Sequence, residues 1–102
     1  MNKTKELEKL SQEVAGIEAT LNERGSRYGK FVDHAQLTQD LKNVMRDHVG
    51  WEKLAPDQEE ALDMIAHKIG RILNGDPNYA DSWHDIVGYA KLVDDRLNGK
   101  IQ

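Results

Sequence analysis

A chain of 102 residues with 38% hydrophobic and 31% charged residues, two prolines and no cysteine can bury one modest core, which excludes a disulfide-stapled scaffold and a chain too polar to fold. Its formal charge of −4, with Lys and Arg dispersed among acids, excludes a phosphate-tracking surface as the default, because nucleic-acid binding needs clustered cations. No apolar run approaches the roughly 18 residues of a membrane helix and the first residues lack the apolar segment of a signal peptide, so a cytoplasmic protein with no membrane partner is expected.

From Thr4 to Leu21, Leu7, Leu10, Val14, Ile17 and Leu21 follow alternating steps of three and four, a narrow heptad seam. Two structures fit it: a coiled-coil helix that pairs with a partner, or the first helix of a bundle. The stretch Asn22 to Phe31 holds two glycines and a serine and reads as a turn. Its Arg24, Arg27 and Lys30 could approach an anionic ligand with Tyr28 offering a ring, or Tyr28 and Phe31 could pin the loop while the cations are solvated.

Leu37, Leu41, Val44 and Met45 predict a second helix from Asp33 or His34 to about Asp47. The segment His48–Ala55 is too irregular for a regular element, and Trp51 with Leu54 is expected to cover one end of the core. His34 and His48 lack partners at metal-ligand spacing and are assigned to surface or packing roles.

Pro56 suits the first turn of a third helix, and Asp57, Glu59 and Glu60 set negative charge at its positive end. Leu62, Ile65, Ala66, Ile69, Ile72 and Leu73 form its expected buried stripe. Glu60, Asp63, His67 and Arg71 share a neighbouring face, Lys68 lies on the opposite flank, and Gly70 permits a close approach. Carboxylates one turn apart can grip one hard cation, yet acids early and cations late are also what dipole compensation and i,i+4 pairing produce.

Asn74-Gly75-Asp76-Pro77 stops this helix, and Asp81 or Ser82 opens the last one. Its expected stripe is Trp83, Ile86, Val87, Ala90, Val93 and Leu97, with Asp85 at the border beside Tyr89. Helices joined by so short a turn pack antiparallel, which sets Glu60 and Asp63 far from Asp81 and Asp85 within one hairpin. The whole is expected to be a single all-α domain over 1–102, four-helix bundle-like, with helices near 4–22, 33–47, 56–73 and 81–98, assembled into a homo-oligomer.

The series Glu23-Arg24-Gly25-Ser26-Arg27-Tyr28-Gly29, Asn74-Gly75-Asp76-Pro77 and Asp81-Ser82-Trp83-His84-Asp85-Ile86-Val87-Gly88-Tyr89 resembles a family of small uncharacterised proteins of tailed phages and prophages. With its paired acids on successive helices, the chain is more distantly similar to MazG-like nucleoside triphosphate pyrophosphatases. That resemblance implies a nucleotide substrate and Mg²⁺, with Glu60, Asp63, Asp81 and Asp85 as metal ligands and Glu60, Asp63 and Asp85 in catalytic roles. It also implies Lys68 and Arg71 on the phosphates and Arg24 and Tyr28 on the rest of the nucleotide. The chain departs from the pattern twice: its first pair is Glu-x-x-Asp and its second, Asp81 and Asp85, is one residue longer. The alternative is a non-enzymatic phage accessory module that binds a host or phage protein through its seam or its Trp51 and Trp83 surfaces.

Overall fold

A computed structural model describes residues 3–100 and is all-helical: α1 spans Lys3–Tyr28, α2 Phe31–Asp47, α3 Pro56–Asn74 and α4 Ala80–Leu97, with a short 3-10 helix, Val49–Lys53, between α2 and α3. The expected four helices are present. Among the described residues, no helix is long and apolar enough to cross a membrane.

The body of the molecule is α3 with α2 on one side and α4 on the other. Two ion pairs fix the register of α4: Arg96 to Asp57 at 2.7 Å and Lys68 to Asp85 at 2.9 Å. From Asp57 to Lys68 is eleven residues along α3, and from Arg96 back to Asp85 is eleven along α4, so the helices run antiparallel without slippage. On the α2 side, Gly70 lies in close contact with α2. A Cβ there would collide with the Thr38 hydroxyl and crowd the His34 ring, which is the close approach the lone glycine promised.

Because α3 is covered on two sides, its buried residues are Ala61, Ala66, Lys68, Gly70 and Ile72 rather than one apolar stripe. Leu73, expected inside, is 67% exposed, and Lys68, placed on the flank opposite the acids, is buried. The α4 stripe also shifts. Trp83, Val87 and Leu97 face outward, while Ser82 and Asp95 are buried. The Trp83 indole N–H donates to the Pro77 carbonyl at 2.8 Å, holding the ring over the interhelical turn.

Two boundaries differ from the sequence reading. The heptad helix runs through the expected turn to Tyr28 because the residue with left-handed backbone is Gly29, with φ of 78°, and not Gly25. An i,i+4 ion pair between Glu23 and Arg27 supports the added turn. The connection after α2 is also partly ordered, with His48 Nδ1 accepting from the Gly50 N–H at 2.9 Å to open the 3-10 helix.

The first helix stands away from this body. None of its residues is buried, and every residue from Lys3 to Ser26 is exposed. The molecule is therefore elongated, 59 × 31 × 26 Å, with a radius of gyration of 18.8 Å, against about 13 Å for a compact chain of this length.

Candidate functional site

The foot of α1 is held to the α3–α4 turn by backbone. The Asn74 side-chain amide donates to the Tyr28 and Lys30 carbonyls at 2.9 and 3.0 Å, and the Asp76 N–H donates to the Arg27 carbonyl at 2.6 Å. A Cβ on Gly29 would strike the Asn74 carbonyl, and one on Gly75 would strike the backbone of Arg27 and Tyr28. Both glycines are needed for this contact. Sequence reading assigned Asn74 and Gly75 only to ending a helix; they also dock α1.

Side chains extend the clamp. The Tyr28 ring meets Tyr79 edge-on at 6.0 Å, the Arg71 guanidinium lies 4.2 Å from the Tyr28 ring centre, and that of Arg27 lies 4.7 Å from the Tyr79 ring. Arg27 also donates to the Tyr79 hydroxyl at 3.0 Å, which in turn donates to Asp81 at 2.9 Å. That last bond holds the Tyr79 proton more firmly than usual.

Beside the clamp, α1, α2 and α3 border a half-open cavity of about 460 Å³. Arg24, Lys30 and Arg71 bring three cations to its wall, and its lining contains no carboxylate. Tyr28 forms part of the wall, and Phe31, 79% exposed, leaves a ring face open at the rim. Of the four residues expected to bind a nucleotide, Arg24, Tyr28 and Arg71 therefore meet here. Lys68 does not: it lies between α3 and α4, engaged by Asp85.

His34 and His67 complete the cavity, their rings edge to face with centres 4.6 Å apart and the facing nitrogens at 3.4 Å. Burial, then the Arg71 charge, lowers His67 from its ordinary 6.5 to about 4, and burial is also the main cause lowering His34. Both shifts favour the uncharged rings. They supply a neutral donor and acceptor beside the cations. His34 was assigned to packing, and its pairing with His67 was not foreseen. The available signal was that His67 shares a helical face with Arg71 while His34 opens the facing helix.

The acids are distributed differently. Asp63 takes an ion pair from Arg46 at 3.2 Å, Asp85 one from Lys68, and Asp81 the Tyr79 hydroxyl. Hydrogen bonding to Lys68 holds the Asp85 carboxyl below the usual carboxylate range. Glu60 lines a separate cavity of about 340 Å³ between α3 and α4, with Asp57, Tyr89 and Arg96. In the antiparallel register Glu60 lies eight residues from Lys68, the partner of Asp85, about 12 Å along the helix. Among the described residues there is no group of three or more His, Cys, Asp or Glu that could hold a metal ion. Within one chain, the four proposed ligands do not make a Mg²⁺ site.

No protein-family model, curated protein or solved structure matches the chain.

Proposed function

We propose that the chain binds a small anionic ligand that carries a planar ring, the nucleotide class, in the cavity at the foot of α1. The observation that carries this reading is the convergence of Arg24, Lys30 and Arg71, with Tyr28 and Phe31, on one concave site without a carboxylate. In a protein of net charge −4, three cations around one cavity form a local field opposite to the overall charge, which draws anions to that site. Guanidinium groups match phosphate oxygens in geometry and charge, and the open face of Phe31 suits a planar ring. The volume falls in the range of about 300–1,000 Å³ typical of small-molecule sites.

The more distant similarity to MazG-like enzymes implies the same ligand class. Binding, and not hydrolysis, is proposed. A Mg²⁺-held water requires carboxylates around one ion; among the described residues no group of three or more such ligands converges, and Asp63, Asp85 and Asp81 are engaged by Arg46, Lys68 and the Tyr79 hydroxyl.

Calorimetric titration of a nucleoside triphosphate tests the reading. Binding saturates at one ligand per chain, weakens as salt rises, and weakens about tenfold or more in Arg24→Glu, the scale of a lost charge-assisted hydrogen bond. Absence of binding to any nucleotide at millimolar concentration contradicts it.

A second reading, the interaction module, is favoured by a different observation. Leu7, Leu10, Val14, Ile17 and Leu21 are each 53–63% exposed along a helix that buries nothing. Polar substitution at Leu10 abolishes assembly and leaves the α2–α4 body folded if the seam is an assembly surface. Unfolding of the body instead sinks this reading.

A further inference from the structure

The bare seam of α1 has a flank pattern that selects its occupant. With Leu7, Val14 and Leu21 at heptad position a and Leu10 and Ile17 at d, the flanking g positions are Glu6, Glu13, Thr20 and Arg27, and the e positions are Thr4, Ser11 and Glu18. Such flanking charges decide partner and orientation in coiled coils.

We infer that the α1 seam binds the α1 seam of a second copy of this chain, antiparallel, with Leu10 against the partner's Leu21 and Val14 against the partner's Ile17. This inference rests on the seam being an assembly surface and takes no support from the nucleotide reading. A parallel, in-register pair sets Glu13 against the partner's Glu18, twice per dimer. The antiparallel pair removes that repulsion: Glu13 meets the partner's Thr20 and Glu18 meets the partner's Ser11. Sliding the antiparallel pair one heptad in either direction brings Glu13 onto the partner's Glu13 or Glu18 onto the partner's Glu18. The chosen register thus sets four of the five apolar residues against one another and opposes no two carboxylates. At its outer layers Leu7 meets the aliphatic stem of the partner's Arg24, which can cover apolar surface while its head reaches water.

The shape of the molecule favours the same orientation. Each body, attached at the C-terminal end of α1, belongs to a chain of net charge −4. A parallel pair crowds both bodies at one end, whereas the antiparallel pair holds them at opposite ends of a 26-residue helix, about 39 Å long. A projecting helix with Gly16 and Gly25 inside it is marginal alone, and pairing supplies the apolar burial it lacks. The seam also runs into the cavity, since Leu21, Arg24 and Tyr28 belong to both. The partner's Leu7 and the partner's Lys3 then fall opposite Arg24 and Tyr28, so the first turn of one copy edges the cavity of the other.

The chain has no cysteine, so single cysteines report the register cleanly. Leu10→Cys and Leu21→Cys proteins are mixed in a glutathione redox buffer, and the mass of the wild type is measured by light scattering. The expected results are a mass above one chain and a mixed disulfide that joins position 10 of one variant to position 21 of the other, with neither variant cross-linking to itself. In this register the two position-10 residues are about 16 Å apart along the axis, beyond disulfide reach. Should either cysteine itself weaken assembly, Leu7→Cys with Arg24→Cys reads the outer layer in the same way. Self-cross-linking at position 10 overturns the antiparallel pair while leaving the seam as an assembly surface. A wild-type mass of one chain at tens of micromolar overturns both, with the nucleotide titration unaffected.

Discussion

Lys68 and Asp85 form a 2.9 Å ion pair across the α3–α4 interface, with the lysine side chain 10% exposed and the carboxylate 43% exposed. The asymmetry makes Lys68 the more costly group to leave alone, because a buried ammonium without its carboxylate loses both water and partner. Asp85→Asn is expected to lower the urea midpoint more than Lys68→Met, which replaces the charge by an apolar chain of similar volume. Denaturation of the two variants and the double variant checks it. Equal losses in both singles would mean that the pair is solvated and of little consequence.

The histidine pair sets a pH dependence with a definite sign. His67 takes up a proton near its ordinary 6.5 when unfolded but only near 4 in the fold, so between those values the unfolded chain binds more protons. Stability contributed by the neutral ring is full above about 6.5 and is lost as pH falls towards 4. Asp57 and Asp85, both held below their ordinary 3.8, lose their contribution only below that value, so the window above pH 4 isolates the imidazoles. Melting temperatures by circular dichroism from pH 7.5 to 4.5 should fall in the wild type and fall less in His67→Gln. An equal fall in both would remove His67 as the cause.

Glycines of opposite effect distinguish the clamp from the free part of α1. Gly29→Ala forces a Cβ at φ of 78° against the Asn74 carbonyl, a cost of roughly 1–3 kcal/mol, and should also loosen α1 from the α3–α4 turn. Gly16 has nothing within 4 Å of an added Cβ, so Gly16→Ala should raise helix stability by about 0.5–1 kcal/mol. Chemical denaturation of the two variants, with helix content by circular dichroism, measures both effects.

The helices were largely legible in sequence because their signals are local. Pro56 at the start of α3 and Gly75 at its end mark that helix within one or two residues, and the two-residue offset of α2 comes only from Phe31 and Val32 joining its first turn. The end of α1 was not legible. Gly25 and Gly29 are both plausible stops, and which one takes the left-handed backbone is decided by Asn74 and Asp76, distant in sequence, which grip the chain at Tyr28 and Lys30 and at Arg27. Tertiary contact also explains Lys68. A single lysine on an amphipathic helix reads as solvated until the Asp57–Arg96 pair fixes the register that sets it against Asp85.

The candidate site divides along the same line. Arg24, Tyr28 and Lys30 lie within one short segment, so a single turn suffices to group them as an anion-binding cluster. Arg71 joins them only because the clamp lays Tyr28 under its guanidinium. The acids of α3 and α4 share helical faces in sequence, but each helix turns its carboxylates towards a different neighbour: Asp63 towards Arg46, Asp85 towards Lys68, Asp81 towards Tyr79.

The central claim is that an anionic, ring-bearing ligand occupies the cavity at the foot of α1, and titration of a nucleoside triphosphate into isotopically labelled protein followed by NMR tests it most directly. The resonances of Arg24, Tyr28, Lys30, Phe31 and Arg71 should shift together and saturably, while those of Asp57 and Glu60, which line the separate α3–α4 cavity, stay in place. Shifts confined to the surroundings of Asp57 and Glu60, or no saturable shift at millimolar ligand, would contradict the account.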